Sequence, residues 1–189
     1  VFVEFVSSNI SLEKFDLVIL PGSKLVIKDL KWLKEMGLFE QIKNYKKDIC
    51  AICGGYEMMF ESLNDIYALE NEQPIKEEGF AFNPDNIIFE KEKILEKKTY
   101  ELFGEKIEGF EIHHGVCKNY PLSFEKQNFK GTFVHQIFDN NEFRTKYFKS
   151  IKSDYVGFNF QEYKKQTVDN FISTLKAKLD VEHLIKSIS

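Results

Sequence analysis

The first third of the chain alternates short apolar runs with segments of helical period. Residues 1–7 are β-branched or aromatic at most positions and alternate, which predicts a strand. Asn9-Ile10-Ser11 reads as a turn. Residues 15–20 are apolar apart from Asp16, as in a strand covered on both faces, and Pro21-Gly22-Ser23-Lys24 stops them. Residues 27–45 space Leu30, Leu33, Leu38 and Ile42 for a helix, with charged residues between and Gly37 as a break. Residues 48–52 form the next strand, which runs into Cys53-Gly54-Gly55 and a helical segment over 56–63. The order strand, strand, helix, strand, tight turn, helix argues for an α/β fold, a parallel sheet with crossover helices.

The later pattern is less regular. Residues 64–78 are polar and loop-like. Residues 80–90 read as two strands around the turn Asn83-Pro84-Asp85-Asn86. Residues 91–98 are a charge run, expected on a solvated face. Strands follow over 106–114 and 130–135, the second ending at His135. Helices are predicted over 140–151 and from 161 onward. In the last one Val168, Phe171, Ile172, Leu175, Leu179, Leu184 and Ile185 make a stripe expected to pack into the core.

The stretch Ile49-Cys50-Ala51-Ile52-Cys53-Gly54-Gly55-Tyr56 carries the chemistry. A strand that ends at a cysteine, two glycines and then a helix suits a nucleophile elbow, which holds the sulfur clear on a sharp turn. A helix N-terminus there lowers a thiol pKa and offers N–H groups to an oxyanion. Cys50 lies inside the apolar run and reads as a buried structural cysteine. A cysteine nucleophile needs a base, and the chain has four histidines: His113, His114, His135 and His183. His183 falls in the terminal helix and reads as a surface residue. His135 ends a strand, as Cys53 does, and sites of α/β sheets gather at the carboxyl ends of strands. His135 is therefore the favoured base. His113 and His114 point to opposite faces of a strand, which argues against one shared metal ion; His113 suits a structural or substrate-positioning role. Gly22, in the loop after the neighbouring strand, is placed to offer a second oxyanion N–H.

Composition narrows the class. With 189 residues, 43% hydrophobic and 30% charged, the chain is long enough for one globular domain with a real core. The net charge is −4, and Arg144 is the only arginine, which disfavours nucleic acid as a partner. No apolar run reaches the ~20 residues of a membrane span. Three cysteines, with no second C-x-x-C, disfavour zinc and fit a reducing, cytoplasmic setting. The start at Val1, directly in a strand-like pattern, suggests a chain that continues a longer protein.

Several motifs, in order, resemble the glutamine amidotransferase domain of the cobyric acid synthase family. They are Asp16 to Lys24, Asp29-Leu30, Trp32 to Leu38, Ile52-Cys53-Gly54-Gly55-Tyr56, Phe110-Glu111-Ile112-His113, Gly131-Thr132-Phe133-Val134-His135, Ile137-Phe138-Asp139-Asn140 and Leu179 to Ile185. The resemblance runs through nearly the whole chain and implies one domain over 1–189, a class I, triad-type glutaminase with a flavodoxin-like core. It implies an ATP-dependent synthetase domain on the N-terminal side, where ATP and Mg would bind, with no cofactor in the present domain. It implies glutamine as substrate and a corrin precursor as the final amide acceptor, reached through the synthetase domain. At matching positions Cys53 would be the nucleophile and His135 its base, while Gly22 and Gly54 would offer oxyanion N–H groups.

Some positions depart from the family pattern. Ala51 stands where the family has Gly, Leu25-Val26 where it has Asn-Thr, His114 where it has Met, and Gln136 where it has Gly. Glu57 replaces a glutamine whose side chain the resemblance turns toward the substrate. A carboxylate there opposes thiolate formation at Cys53, or holds the substrate's ammonium, or points to solvent from the first helical turn. Ile137 occupies the place of a glutamate that many class I enzymes use to orient the histidine, which leaves Glu111 and Asp139 as candidates for that task. Three other readings stay open: an amidotransferase for another acceptor (cobyrinic acid diamidation or a cell-wall precursor), a non-catalytic domain that binds a synthetase, and a thiol redox protein using Cys50 and Cys53.

Overall fold

A computed structural model describes residues 1–179. Strand β1 (Leu17–Leu20) leads through a loop over residues 21–25 to helices α1 (Val26–Glu35) and α2 (Leu38–Lys43). Gly37 separates these helices at φ 69°, a left-handed value that suits glycine, so the break expected there is real. Val26, Ile27, Leu30, Leu38 and Ile42 bury the inner face of the pair. Strand β2 (Asp48–Ile52) then pairs in parallel with β1 and feeds the one-turn helix α3 (Gly54–Glu57).

The chain next leaves this sheet. Strands β3 (Phe60–Asp65), β4 (Ile75–Glu78), β5 (Asn83–Leu102) and β6 (Glu105–Val116) form a second sheet in the order β4-β3-β5-β6. β7 (Ser123–Lys126) and β8 (Phe129–Thr132) return to the first, giving the order β1-β2-β8-β7, with β8 parallel to β2 and β7 antiparallel at the edge. Helices α4 (Asn141–Ile151) and α5 (Phe160–Lys178) follow. The larger core joins α1, α2 and β2 to Tyr56, Phe60, Phe80, Phe129 and Phe133. The mostly parallel first sheet with its flanking helices is the α/β, flavodoxin-like arrangement expected, and it puts the ends of β1, β2 and β8 side by side.

Several local expectations are corrected. Residues 1–7 belong to no strand, and Phe2 and Phe5 are exposed. Their alternation is a propensity that needs a ladder partner, and none pairs with them among the described residues. Ile19 is 43% exposed, so the face of β1 that it shares with Leu17 is only partly covered, Leu17 packing against the second core. The helix expected over 56–63 lasts one turn before β3 begins. Asn83-Pro84-Asp85-Asn86 opens β5 rather than turning. Residues 91–98 are exposed, as expected of a charge run, but they lie within β5. The stripe of the last helix is not core: Val168, Phe171, Ile172 and Leu175 are exposed, and α5 has no buried residue. A stripe shows that a helix has an apolar face, not what covers it. Leu184, Ile185, His183 and the motif after Leu179 lie outside the described residues.

Candidate active site

Cys53 follows β2 with φ 49° and ψ −113°, a left-handed backbone held by a residue with a side chain. Such conformations cost about 1–3 kcal/mol and persist where the surroundings enforce them. Here the Cys53 N–H donates to Thr132 O at 2.8 Å, and the Cys53 carbonyl accepts the Glu57 N–H at 2.9 Å. The strand ladder and the first helical turn thus grip the residue from both sides. The glycines after it let the end of β1 come close. A Cβ on Gly55 would lie 2.2 Å from Leu20 O, and one on Gly54 2.6 Å from Ser23 N. The sharp turn that the Cys-Gly-Gly sequence predicts is therefore built.

His135 sits three residues beyond β8. Its N–H donates to Phe110 O at 2.8 Å, and its ring stacks on the Phe110 ring with centroids 4.8 Å apart. Gly22 lies between the imidazole and the cysteine: a Cβ there would be 3.1 Å from His135 Cε1 and 3.8 Å from Cys53 Cβ. Gly22 and its neighbour Pro21 are exposed, so this face of the cluster opens to the surface. His135 Nε2 is buried and has no hydrogen-bond partner among the described residues. Burial holds the His135 pKa below its ordinary value, and His113 adds to that. The imidazole is therefore neutral at pH 7 and can accept a proton.

The thiol is protonated and buried. Cys53 is 5% exposed, and its Sγ donates to Ile112 O of β6 at 3.6 Å. Burial first, with the Glu57 and Glu111 charges, pushes its pKa up to about 12, against the Gly54 N–H and Lys93. The depressed thiol pKa expected from a helix N-terminus is corrected: α3 has four residues, too few for an appreciable dipole, and desolvation dominates. Cys50 is buried within β2 as expected, and its thiol is likewise pushed up to about 12 by burial.

β6 forms the second wall. His113 stacks on Phe133 at 3.9 Å, contacts Gly115 O through Nδ1 at 2.8 Å and meets Glu111 Oε2 through Nε2 at 3.2 Å. Glu111, His113 and Gly115 are buried, while His114 turns to the other face and meets Glu90 O through Nδ1 at 2.8 Å. Glu57, one turn after Cys53, is 3% exposed, and its Oε1 accepts the Gly115 N–H at 3.1 Å. It points neither to solvent nor outward from the elbow. Of the two carboxylates considered for orienting His135, Asp139 pairs with Lys164 at 3.2 Å and Glu111 with His113. The Phe110 ring is what faces the His135 imidazole, a partner that sequence reasoning did not name. The Ile112 carbonyl and the Gly115 amide were missed too, because backbone groups leave no residue-type signal. Gln136 holds a left-handed φ of 64°, the conformation that a glycine takes without strain.

A sulfur on a strained turn and a neutral imidazole that both border Gly22 are the kind of grouping that nucleophilic acyl chemistry uses. Residues 1–143 match the family model of the CobB/CobQ-like glutamine amidotransferase domain. The chain belongs to this family. A cobyric acid synthase of Acinetobacter baylyi is 52% identical over 188 residues, which cover 100% of this chain and 40% of the relative. One from Clostridium tetani is 30% identical over 216 residues, covering 100% of this chain and 44% of the relative. The chain thus spans less than half the length of these relatives. A crystal structure of a glutamine amidotransferase superposes with a TM-score of 0.54 at 15% identity, over 74% of this chain and 80% of that one. At that identity it supports the fold alone. Among the described residues no helix is long and apolar enough to cross a membrane.

Proposed function

We propose that this chain is the glutamine-hydrolysing domain of a cobyric acid synthase, working in a reducing, cytoplasmic setting. The observation that carries the reading is the position of the exposed Gly22, where a Cβ would lie 3.1 Å from His135 Cε1 and 3.8 Å from Cys53 Cβ, so that both residues border one glycine. The strained backbone of Cys53 and the neutral His135 ring support it. Cys53 Sγ attacks the side-chain amide carbon of glutamine and its proton passes to His135. The tetrahedral oxyanion faces the N–H groups of Gly54 and Gly22. His135 returns the proton to the departing nitrogen, which leaves as ammonia, and a glutamyl thioester remains. His135 then takes a proton from water, which attacks the thioester, releases glutamate and restores the thiol. His113 is assigned to shaping the β6 wall. The ammonia goes to an ATP-dependent synthetase domain, a part that the additional length of the relatives can supply, and there amidates carboxylates of a corrin ring.

The test is glutamate release from glutamine by the chain, alone and together with the synthetase part. Wild type should release glutamate and Cys53→Ala should not; release by Cys53→Ala at the wild-type rate would overturn the nucleophile assignment. A second reading, a domain that only binds a synthetase, is favoured by one observation: the thiol is held on Ile112 O with its pKa near 12. That reading requires that wild type release no glutamate even with its synthetase part present.

A further inference from the structure

The proposed chemistry uses no group from the interior behind the elbow, yet a carboxyl is buried there. Glu57 lies in α3, one turn after Cys53, and only 3% of its surface reaches solvent. Its Oε1 accepts the Gly115 N–H at 3.1 Å, and no lysine, arginine or histidine comes within ion-pair distance of it among the described residues. Gly115 has been kept bare for this contact: a Cβ on it would sit 2.2 Å from the same Oε1. The bond ties the elbow helix to β6 three residues from Ile112, whose carbonyl receives the Cys53 thiol. A buried carboxyl without a cation is far cheaper to keep as a neutral acid than as an anion.

We propose that Glu57 is a positioning residue that works as a neutral carboxylic acid, holding the elbow to β6 through the Gly115 amide, and that its ionisation in alkaline solution withdraws reactivity from Cys53. The proposal deepens the reading of Cys53 as nucleophile and rests on it only for the choice of reporter. The groups that face Glu57 agree. Glu70, from the loop after β3, disfavours a charge at this place, the neighbouring thiols of Cys53 and Cys117 are neutral, His113 is engaged with the carbonyl of Gly115, and only the Gly115 N–H and Lys93 of β5 favour the anion. Burial first, and Glu70 next, push the Glu57 carboxyl up to about 8. Below that pH the side chain is uncharged and carries a carbonyl-type acceptor and a hydroxyl donor, much as a glutamine amide carries an acceptor and a donor. Above it the new anion lies one turn from the sulfur and raises the thiol pKa.

The test is the rate at which iodoacetamide alkylates Cys53 in the full chain, read by peptide mass for wild type and Glu57→Gln from about pH 6.5 to about pH 9.5. The glutamine variant keeps an oxygen for the Gly115 N–H and cannot ionise. The expected result is a rate ratio, variant over wild type, that climbs by about threefold or more across pH 8, the effect of half a unit in the thiol pKa. A ratio that stays flat across this range overturns the proposal. Alkylation needs only a thiol, so the result stands whether or not glutamine is the substrate. Glu57→Ala, which removes the acceptor, should lower the reactivity of Cys53 below about pH 8, where the wild-type side chain is neutral, and Glu57→Gln should restore it. Equal reactivity of the alanine and glutamine variants rules out the positioning role. If neither variant folds, the carboxyl carbon-13 shift of Glu57 in wild type decides: a midpoint near 8 supports the proposal, and one near 4.5 overturns it.

Discussion

The two sheets divide the site between them in different ways. The first, β1-β2-β8-β7, contributes through backbone: Cys53, the Gly22 loop and His135 all follow the carboxyl ends of adjacent parallel strands. The second, β4-β3-β5-β6, contributes a wall of buried polar groups on β6: Glu111, His113 and the Gly115 amide. The first side is fixed by topology and glycine contacts. The second is fixed by hydrogen bonds that tie Glu57 to Gly115 and His113 to Glu111. The proposed reactive groups thus come from the sheet with the simpler pattern, and their electrostatic surroundings from the other.

If that division holds, substitutions on the first side remove chemistry and substitutions on the second tune it. The largest effect is expected at Cys53→Ala, which should lower glutamate release by about 10⁴-fold or more. His135→Ala should lower it by about 10²- to 10⁴-fold. On the β6 side, Glu57→Ala leaves the buried Gly115 N–H without an acceptor and should cost about 1–3 kcal/mol in denaturant unfolding. The same side carries a pH signature. The folded-state pKa of Glu57 is raised, so its neutral form supports stability fully below 4.5 and that support is lost as pH rises through about 8. Relative to Glu57→Gln, wild type should therefore lose stability across that window, and constant relative stability would contradict the burial argument. Asp139→Asn should have the smallest effect, within about 0.5 kcal/mol and without loss of glutamate release, because its partner is the half-exposed Lys164. A large loss there would move the orienting role of His135 back to a carboxylate.

Legibility in the sequence follows the same division. β2 begins and ends where the apolar run does, and Gly37 splits the helices where glycine predicts a break. Parallel strands buried by helices read as apolar runs, and Cys53-Gly54-Gly55 announced its turn because close backbone approach leaves a residue-type signature. The second sheet was harder. β5 carries Lys91 to Lys98 on exposed positions, so its strand character comes from pairing with β6 rather than from alternation. Glu57 illustrates the limit at the site. Its identity was visible, but three readings of its direction were open, and only the fold brings Gly115 to it from 58 residues away. The α5 stripe shows the opposite failure, since a clear pattern at Phe171 and Leu175 met no packing partner among the described residues.

Cys53 is proposed as a nucleophile for the side-chain amide of glutamine. The most direct test is covalent labelling by a glutamine-like electrophile, read as intact mass and then by peptide mapping. One adduct per chain is expected, on Cys53, with Cys50 and Cys117 unmodified and labelling strongly slowed in His135→Ala. No adduct on Cys53, or labelling indifferent to His135, would contradict the nucleophile assignment.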